Sequence, residues 1–171
     1  HGIPVLHDLP GVGAHLHDHP DVVQVFDAPR LTDLFGLSLS GMARTMRGVM
    51  EWRKHRTGML TTNFAESGGF IKSDPSETVP DLQLHFVIGK LVDHGRKTVL
   101  GHGYSGHVCI LQPKSRGSVQ LASSNPLDLP LVDPAFLSDP DDMQRMVRGF
   151  KRLREILKQP ALAQYGAKEL A

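Results

Sequence analysis

Hydrophobic and polar positions along this 171-residue chain follow two different periods. Across residues 37–55 apolar side chains recur at Leu39, Met42, Met46, Val49 and Trp52, in the steps of three and four that define one helical face. Arg53, Lys54 and Arg56 suit a helix C-terminus and Gly58 a stop. The methionine-rich row reads as core packing rather than as a ligand groove. A second helix is expected after Ser138, with Ser138 or Asp139 as cap and Asp139, Asp141 and Asp142 at its positive end. Met143, Met146, Val147, Phe150, Ile156 and Leu157 mark its buried side. Lys151, Arg152, Arg154 and Lys158 load its C-terminal half, and Pro160 ends it. Residues 161–171 read as a further helix that stops abruptly.

The other period is two. Residues 3–7, 21–26, 64–72, 81–88, 104–112 and 117–122 read as strands separated by turn-rich segments at 73–76, 93–96 and 113–117. The short last link predicts an antiparallel hairpin between the final two strands. The proline-rich stretch 125–134 is too stiff and donor-poor for a central strand. Alternation puts Gln83 and His85 on one face of their strand, against Leu82, Leu84 and Phe86. It likewise puts Ser105, His107, Cys109 and Leu111 opposite Tyr104, Val108 and Ile110. Strands with short links flanked by helices predict an α+β domain over 1–171: an antiparallel sheet with helices packed on one face.

Composition narrows the function classes. With 40% hydrophobic and 22% charged residues the chain can build one ordinary core. A net charge of +1 spread along the chain shows no basic stripe for nucleic acid. No apolar run is long enough to span a bilayer. A single cysteine, Cys109, excludes an internal disulfide and fits a reducing compartment. The expectation is therefore a cytoplasmic protein, or one peripheral to a membrane when complete. The first residues read as mid-strand, so the chain is expected to be a fragment.

Candidate chemistry is sparse. Neither Gly11-Val12-Gly13 nor Gly101-His102-Gly103 continues into a dinucleotide fingerprint. No Gly-x-Ser-x-Gly elbow exists, and Cys109 reads as a packed residue. His15, His17 and His19 would share a side in a regular strand and could ligate a metal, but the glycines before them and Pro20 after argue for a loop, and no metal is expected. Glu66 in an apolar strand either lines a pocket or faces water from a strand edge. Gln83, His85, Ser105 and His107 fit the roof of a mostly apolar pocket and a solvated face equally well.

Several of these segments resemble the glucose-methanol-choline (GMC) oxidoreductases. The stretch from Gly2-Ile3-Pro4-Val5 through Leu9-Pro10-Gly11-Val12-Gly13-Ala14-His15-Leu16-His17-Asp18-His19-Pro20 is similar to a Leu-Pro-Gly-Val-Gly-x-Asn-Leu-x-Asp-His segment. Asn63-Phe64-Ala65-Glu66-Ser67-Gly68-Gly69-Phe70 resembles a Phe-Glu-Ala-Gly-Gly-Phe region. Pro80-Asp81-Leu82-Gln83-Leu84-His85-Phe86, Pro113-Lys114-Ser115-Arg116-Gly117-Ser118-Val119 and Pro130-Leu131-Val132-Asp133-Pro134-Ala135-Phe136-Leu137 resemble later strands. The choline dehydrogenase and bacterial alcohol dehydrogenase branch is the nearest in character.

The resemblance implies a substrate-binding domain that roofs the reactive face of a flavin. Residues 1–20 would be an interdomain strand and loop, with the FAD-binding domain and the C-terminal catalytic segment outside the chain. It implies a substrate contact for Glu66 if the alcohol is choline-like, and cofactor proximity for Gly13 and His15; strand parity adds His85 and His107 as substrate contacts. It implies no catalytic residue here, no cofactor held by the fragment alone, and an alcohol and the missing domain as partners. The alternative is a free-standing module that binds a small ligand without catalysis. His15 and His17 stand where the family commonly has Asn and Gln, which weakens the metal reading further.

Overall fold

A computed structural model describes residues 3–30, 35–97 and 99–170; His1, Gly2 and Ala171, at the ends of two expected elements, lie outside them. Among the described residues nine strands and three α-helices follow in chain order: β1 Ala14–Leu16, β2 Asp21–Asp27, β3 Gly36–Leu37, α1 Leu39–His55, β4 Ala65–Ile71, β5 Leu82–Val87, β6 Gly101–Ile110, β7 Gly117–Gln120, β8 Leu131–Asp133, α2 Pro140–Leu157, α3 Pro160–Ala163 and β9 Lys168–Glu169. Strands β4, β5, β6, β2 and β9 lie side by side, with β3 also on β6; β1, β7 and β8 form a smaller sheet. Every strand pairing is antiparallel. The α+β class holds, with α2 across one face of the large sheet.

That packing rests on small residues where helix and sheet meet. A Cβ on Gly149 of α2 would press on Leu82 and Val108, and one on Gly106 of β6 would press on Leu153 and Leu157. With neither present, Met146, Leu153 and Leu157 close on Phe26, Leu82, Tyr104, Val108 and Ile110 as one core. Buried polar groups are tied across the same contact: the Tyr104 hydroxyl donates to the Leu157 carbonyl at 3.0 Å, and Gln24 Nε2 donates to the Phe150 carbonyl at 2.7 Å.

The N-terminal turn of α2 carries buried charge. Asp139 caps the helix, its side chain accepting from Asp141 N–H. Asp142, fully buried, accepts from Lys114 N–H, Ser115 N–H, the Ser115 hydroxyl and Arg145 Nη2, at 2.9, 2.7, 2.6 and 2.5 Å. Arg145 reaches the Gln112 carbonyl at 3.2 Å and lies 3.8 Å from Asp81, which accepts from Ser73 N–H and its hydroxyl. Burial alone would raise the Asp142 pKa; the Ser115 hydroxyl, two backbone N–H groups and Arg145 outweigh it and hold the carboxyl below its ordinary value.

Several expectations are corrected. The strands at 104–112 and 117–122 form no hairpin: Asp142 captures the connection at Lys114 and Ser115 and turns the chain into the small sheet. The same carboxylate sets the rotation of α2, so Asp142, Arg145, Met146, Gly149, Leu153 and Leu157 face inward while Met143, Val147 and Ile156 are exposed. The methionine row of α1 is not core; Leu39, Met42, Met46 and Trp52 are exposed, and the buried positions are Gly41 and Gly48. Residues 3–7 form no strand, and the described part of the last expected helix, 161–170, gives the end of a short helix followed by β9. Arg154 and Lys158 bind Glu169 of β9, which favours that strand.

Asp142→Ala leaves Arg145 buried without its nearest counter-charge and strands two backbone donors. It should cost about 3–5 kcal/mol in the midpoint of urea unfolding; a loss no larger than that of an exposed substitution would contradict this account. Because the folded pKa of Asp142 is depressed, its contribution is present above the unfolded value of about 4 and fades as pH falls through the folded one. Wild-type stability should therefore drop in acid, and Asp142→Ala should flatten that drop.

Candidate functional site

Strand register places one set of polar residues of the large sheet on the face opposite α2. One row across β4, β5, β6 and β2 reads Gly68, His85, His107, Val23; the next reads Phe70, Gln83, Cys109, Asp21. Side chains opposite one another in antiparallel strands share a face, so His85, His107, Gln83, Cys109 and Asp21 form one cluster. The alternation expected for β5 and β6 is the alternation observed.

His107 is the fixed point. Its Nδ1 lies 2.7 Å from Asp21 Oδ2, so that the carboxylate accepts from Nδ1–H and Nε2 is left on the other side of the ring. That Nε2 is buried and has no hydrogen-bond partner among the described residues. The His85 ring stands edge-on to it, with centroids 6.5 Å apart and planes at 83°.

The remaining groups divide clearly. Ser105 is committed to structure: its hydroxyl donates to the Gly89 carbonyl at 2.9 Å and accepts from Leu91 N–H at 2.8 Å. Burial raises the Cys109 thiol pKa and the Asp21 charge adds to it, against one Gln83 N–H. Glu66 is exposed at the irregularity between Ala65 and Ser67, where strand alternation is interrupted. Asp21 was not singled out in the sequence, because its partner lies 86 residues away. Its only local signal is a charge opening a β-branched strand.

Gly13 and His15 lie away from this cluster, on and beside β1. Gly13 has φ of 79°, its carbonyl accepts from Val119 N–H at 2.7 Å, and a Cβ there would collide with the Val119 carbonyl. The glycine is thus required within the chain. His15 is exposed at φ 60°, its carbonyl accepting from His17 Nδ1 at 3.0 Å. Among the described residues no group of three or more His, Cys, Asp or Glu could hold a metal ion.

Residues 113–171 match the family pattern described as GMC oxidoreductase. The chain is 45% identical over 170 residues to an alcohol dehydrogenase [acceptor] of Pseudomonas putida, covering 99% of the chain and 31% of that protein. It is 37% identical over 174 residues to the mitochondrial choline dehydrogenase of Homo sapiens, covering 99% and 28%. In shape it resembles an FAD-dependent oxidoreductase from Chaetomium thermophilum, with a TM-score of 0.75 at 23% identity, covering 99% of this chain and 35% of that one. The chain thus spans about a third of the length of the proteins it matches.

Two outcomes check the geometry. Cys109 should resist a thiol reagent in the folded chain and react only on unfolding, so reaction within the mixing time of a native sample would contradict its placement. Asp21→Asn should remove the slowly exchanging His107 ring N–H signal from the proton spectrum and cost about 1–3 kcal/mol of stability.

Proposed function

Because the chain belongs to the glucose-methanol-choline oxidoreductase family, we propose that it is the substrate-binding domain of an FAD-dependent enzyme that oxidises the CH–OH group of an alcohol, choline-like or another primary alcohol, to an aldehyde. Residues 1–20 are then the interdomain strand and loop. What supports the reading is the sheet face opposite α2, where His85 and His107 stand side by side and Asp21 holds the His107 ring.

FAD, bound by the complete protein, supplies the acceptor for the substrate's hydride. Among this chain's residues, Asp21 fixes the His107 ring and holds a proton on Nδ1, so that Nε2 offers an acceptor to a hydroxyl. His85 adds a second polar contact beside it, while Val23 and Phe70 supply apolar wall and help exclude water. Glu66 is suited to an ammonium-bearing substrate. Nothing in the small sheet forms a phosphate cradle, and Gly13 is taken up by Val119. The loop can therefore border a flavin through His15 but not grip it.

The chain alone is expected to hold no flavin and to reduce no dye with alcohols. A near-stoichiometric flavin absorbance band in purified chain, or alcohol-dependent dye reduction, would sink this. In the complete protein, Glu66→Gln should raise KM for choline at least about tenfold while changing it little for a neutral alcohol; equal effects would remove the ammonium role.

One observation favours the alternative module: an apolar cavity of about 250 Å³ between β4 and α2, lined by Gly69, Leu84, Phe86, Leu153, Ile156 and Leu162 among others. No described helix is long and apolar enough to cross a membrane, and we place the complete protein in the cytoplasm or on a membrane surface.

A further inference from the structure

We propose that the hollow between the end of β4 and the middle of α2 binds an organic phosphate, a dianionic head on a small apolar body. Arg148, Lys151, Arg152 and Glu155 of α2 stand at the i, i+3, i+4 and i+7 spacing that shares one side of a helix. Lys72 and Pro75 face them from the chain that leaves β4, and the residues together line a cavity of about 450 Å³. That is the size of a small-molecule site. Its floor is apolar, because Ile71 and the buried Leu82 lie beneath it where Gly149 lets α2 close on the sheet. The facing wall is fixed. Asp81 accepts from Ser73 N–H at 2.7 Å and from its hydroxyl at 2.6 Å, and Asp81 N–H donates to the Ile71 carbonyl at 3.2 Å.

Charge selects the ligand. The whole chain carries a net charge of +1, yet this cavity is lined by four cations and one carboxylate. The carboxylates at hand are engaged. Glu155 accepts from Arg152 at 3.2 Å, and Asp74 accepts from Ser76 N–H and its hydroxyl at 3.0 and 2.6 Å. The Ser76 bonds, more than the Arg148 charge, hold the Asp74 carboxyl below its ordinary pKa, so Asp74 serves its own turn before it serves the cavity. Lys72 and Lys151 are exposed and have no ion-pair partner among the described residues. With Asp74 counted beside Glu155, two positive charges stand uncompensated, which is the charge of one phosphate monoester. A guanidinium and two ammonium groups around one hollow suit the several oxygens of that group. A monocarboxylate would leave one charge unanswered. A nucleic acid would need its cations in a stripe, whereas these surround a single hollow over an apolar floor.

The hollow lies on the α2 side of the sheet, away from His85 and His107, so this proposal does not rest on the flavin reading. Phenyl phosphate, inorganic phosphate and phenol are titrated calorimetrically into the chain and into the complete protein. Phenyl phosphate should bind both, and more weakly as salt is added. Inorganic phosphate, which leaves Ile71 and Leu82 uncovered, should bind at least about tenfold more weakly. Phenol should give no measurable binding at the same concentrations. Lys72→Glu and Lys151→Glu, exposed positions whose circular dichroism should match wild type, should each weaken phenyl phosphate at least about tenfold. Lys54→Glu on α1 should leave it unchanged. Absence of binding, wild-type binding by both cavity variants, or an equal loss in Lys54→Glu would overturn the proposal. Inorganic phosphate binding as tightly as phenyl phosphate would mean an adventitious ion only, and phenol binding as tightly would mean an apolar hollow only; either overturns it. So would binding by the chain that the complete protein lacks, because the rest of the polypeptide would then cover the hollow.

Discussion

The carboxylate of Asp142 is the constraint from which most of the architecture follows. Four donors converge on it from three places: the backbone at Lys114 and Ser115, the Ser115 hydroxyl and the Arg145 guanidinium. Arg145 also lies within ion-pair distance of Asp81 beside the β4–β5 connection. One buried cluster therefore fixes where β6 ends, where α2 begins and how the β4–β5 turn closes. Such a cluster stabilises little relative to a well-packed apolar replacement, but it tolerates no missing member. What it supplies is direction. Without it the 111–116 connection has no reason to avoid a hairpin, and α2 no reason to present Gly149 rather than Val147 to the sheet.

The candidate site is a consequence of that direction. Once Gly149 meets Val108 and Leu82, α2 covers the middle of one face of the large sheet, and every polar residue of β5 and β6 in the alternate register must project the other way. His85, His107, Gln83, Cys109 and Asp21 are gathered by period-two geometry alone. The Asp21–His107 hydrogen bond then removes the freedom of one ring and leaves its second nitrogen unsatisfied. The residues that hold the fold and those on the polar face occupy opposite sides of the same three strands, so substitutions on the polar side need not disturb the core.

Much of this was legible beforehand, for identifiable reasons. Strand alternation is local, and it correctly put His85 with Gln83 and His107 with Cys109 on faces away from Tyr104 and Val108. The cap at Asp139 was legible because the acidic run and the proline sit within four residues. What escaped was non-local. The hairpin expectation failed because the short link suggested a turn, while the groups that redirect it lie 27 and 28 residues away at Asp142. Asp21 was overlooked for the same reason. The buried side of α2 was misjudged by hydrophobicity, since Asp142 and Arg145 satisfy each other inside and displace Met143 and Val147 outward.

The two long helices failed the same reading in opposite senses, and the contrast explains how they can serve different ends. Helix α2 is held by core contact along its length, from Met146 to Leu157. Helix α1 is held at its ends. Ser38 caps it by accepting from Gly41 N–H while bonding His102 Nε2 at 2.7 Å, and Gly36 beside it leaves no room for a Cβ against the His102 ring. At the other end Arg56 closes the helix in the left-handed conformation, and Gly48 rests on Met59. An end-clamped helix takes little of its stability from the side chains along its outer row, so composition there is free of the demands of the core. Hydrophobic periodicity reports that a helix has an apolar side; it does not report which way the side faces. In α1 that side is turned away from the sheet by two glycines and a buried histidine, and its apolar row is exposed.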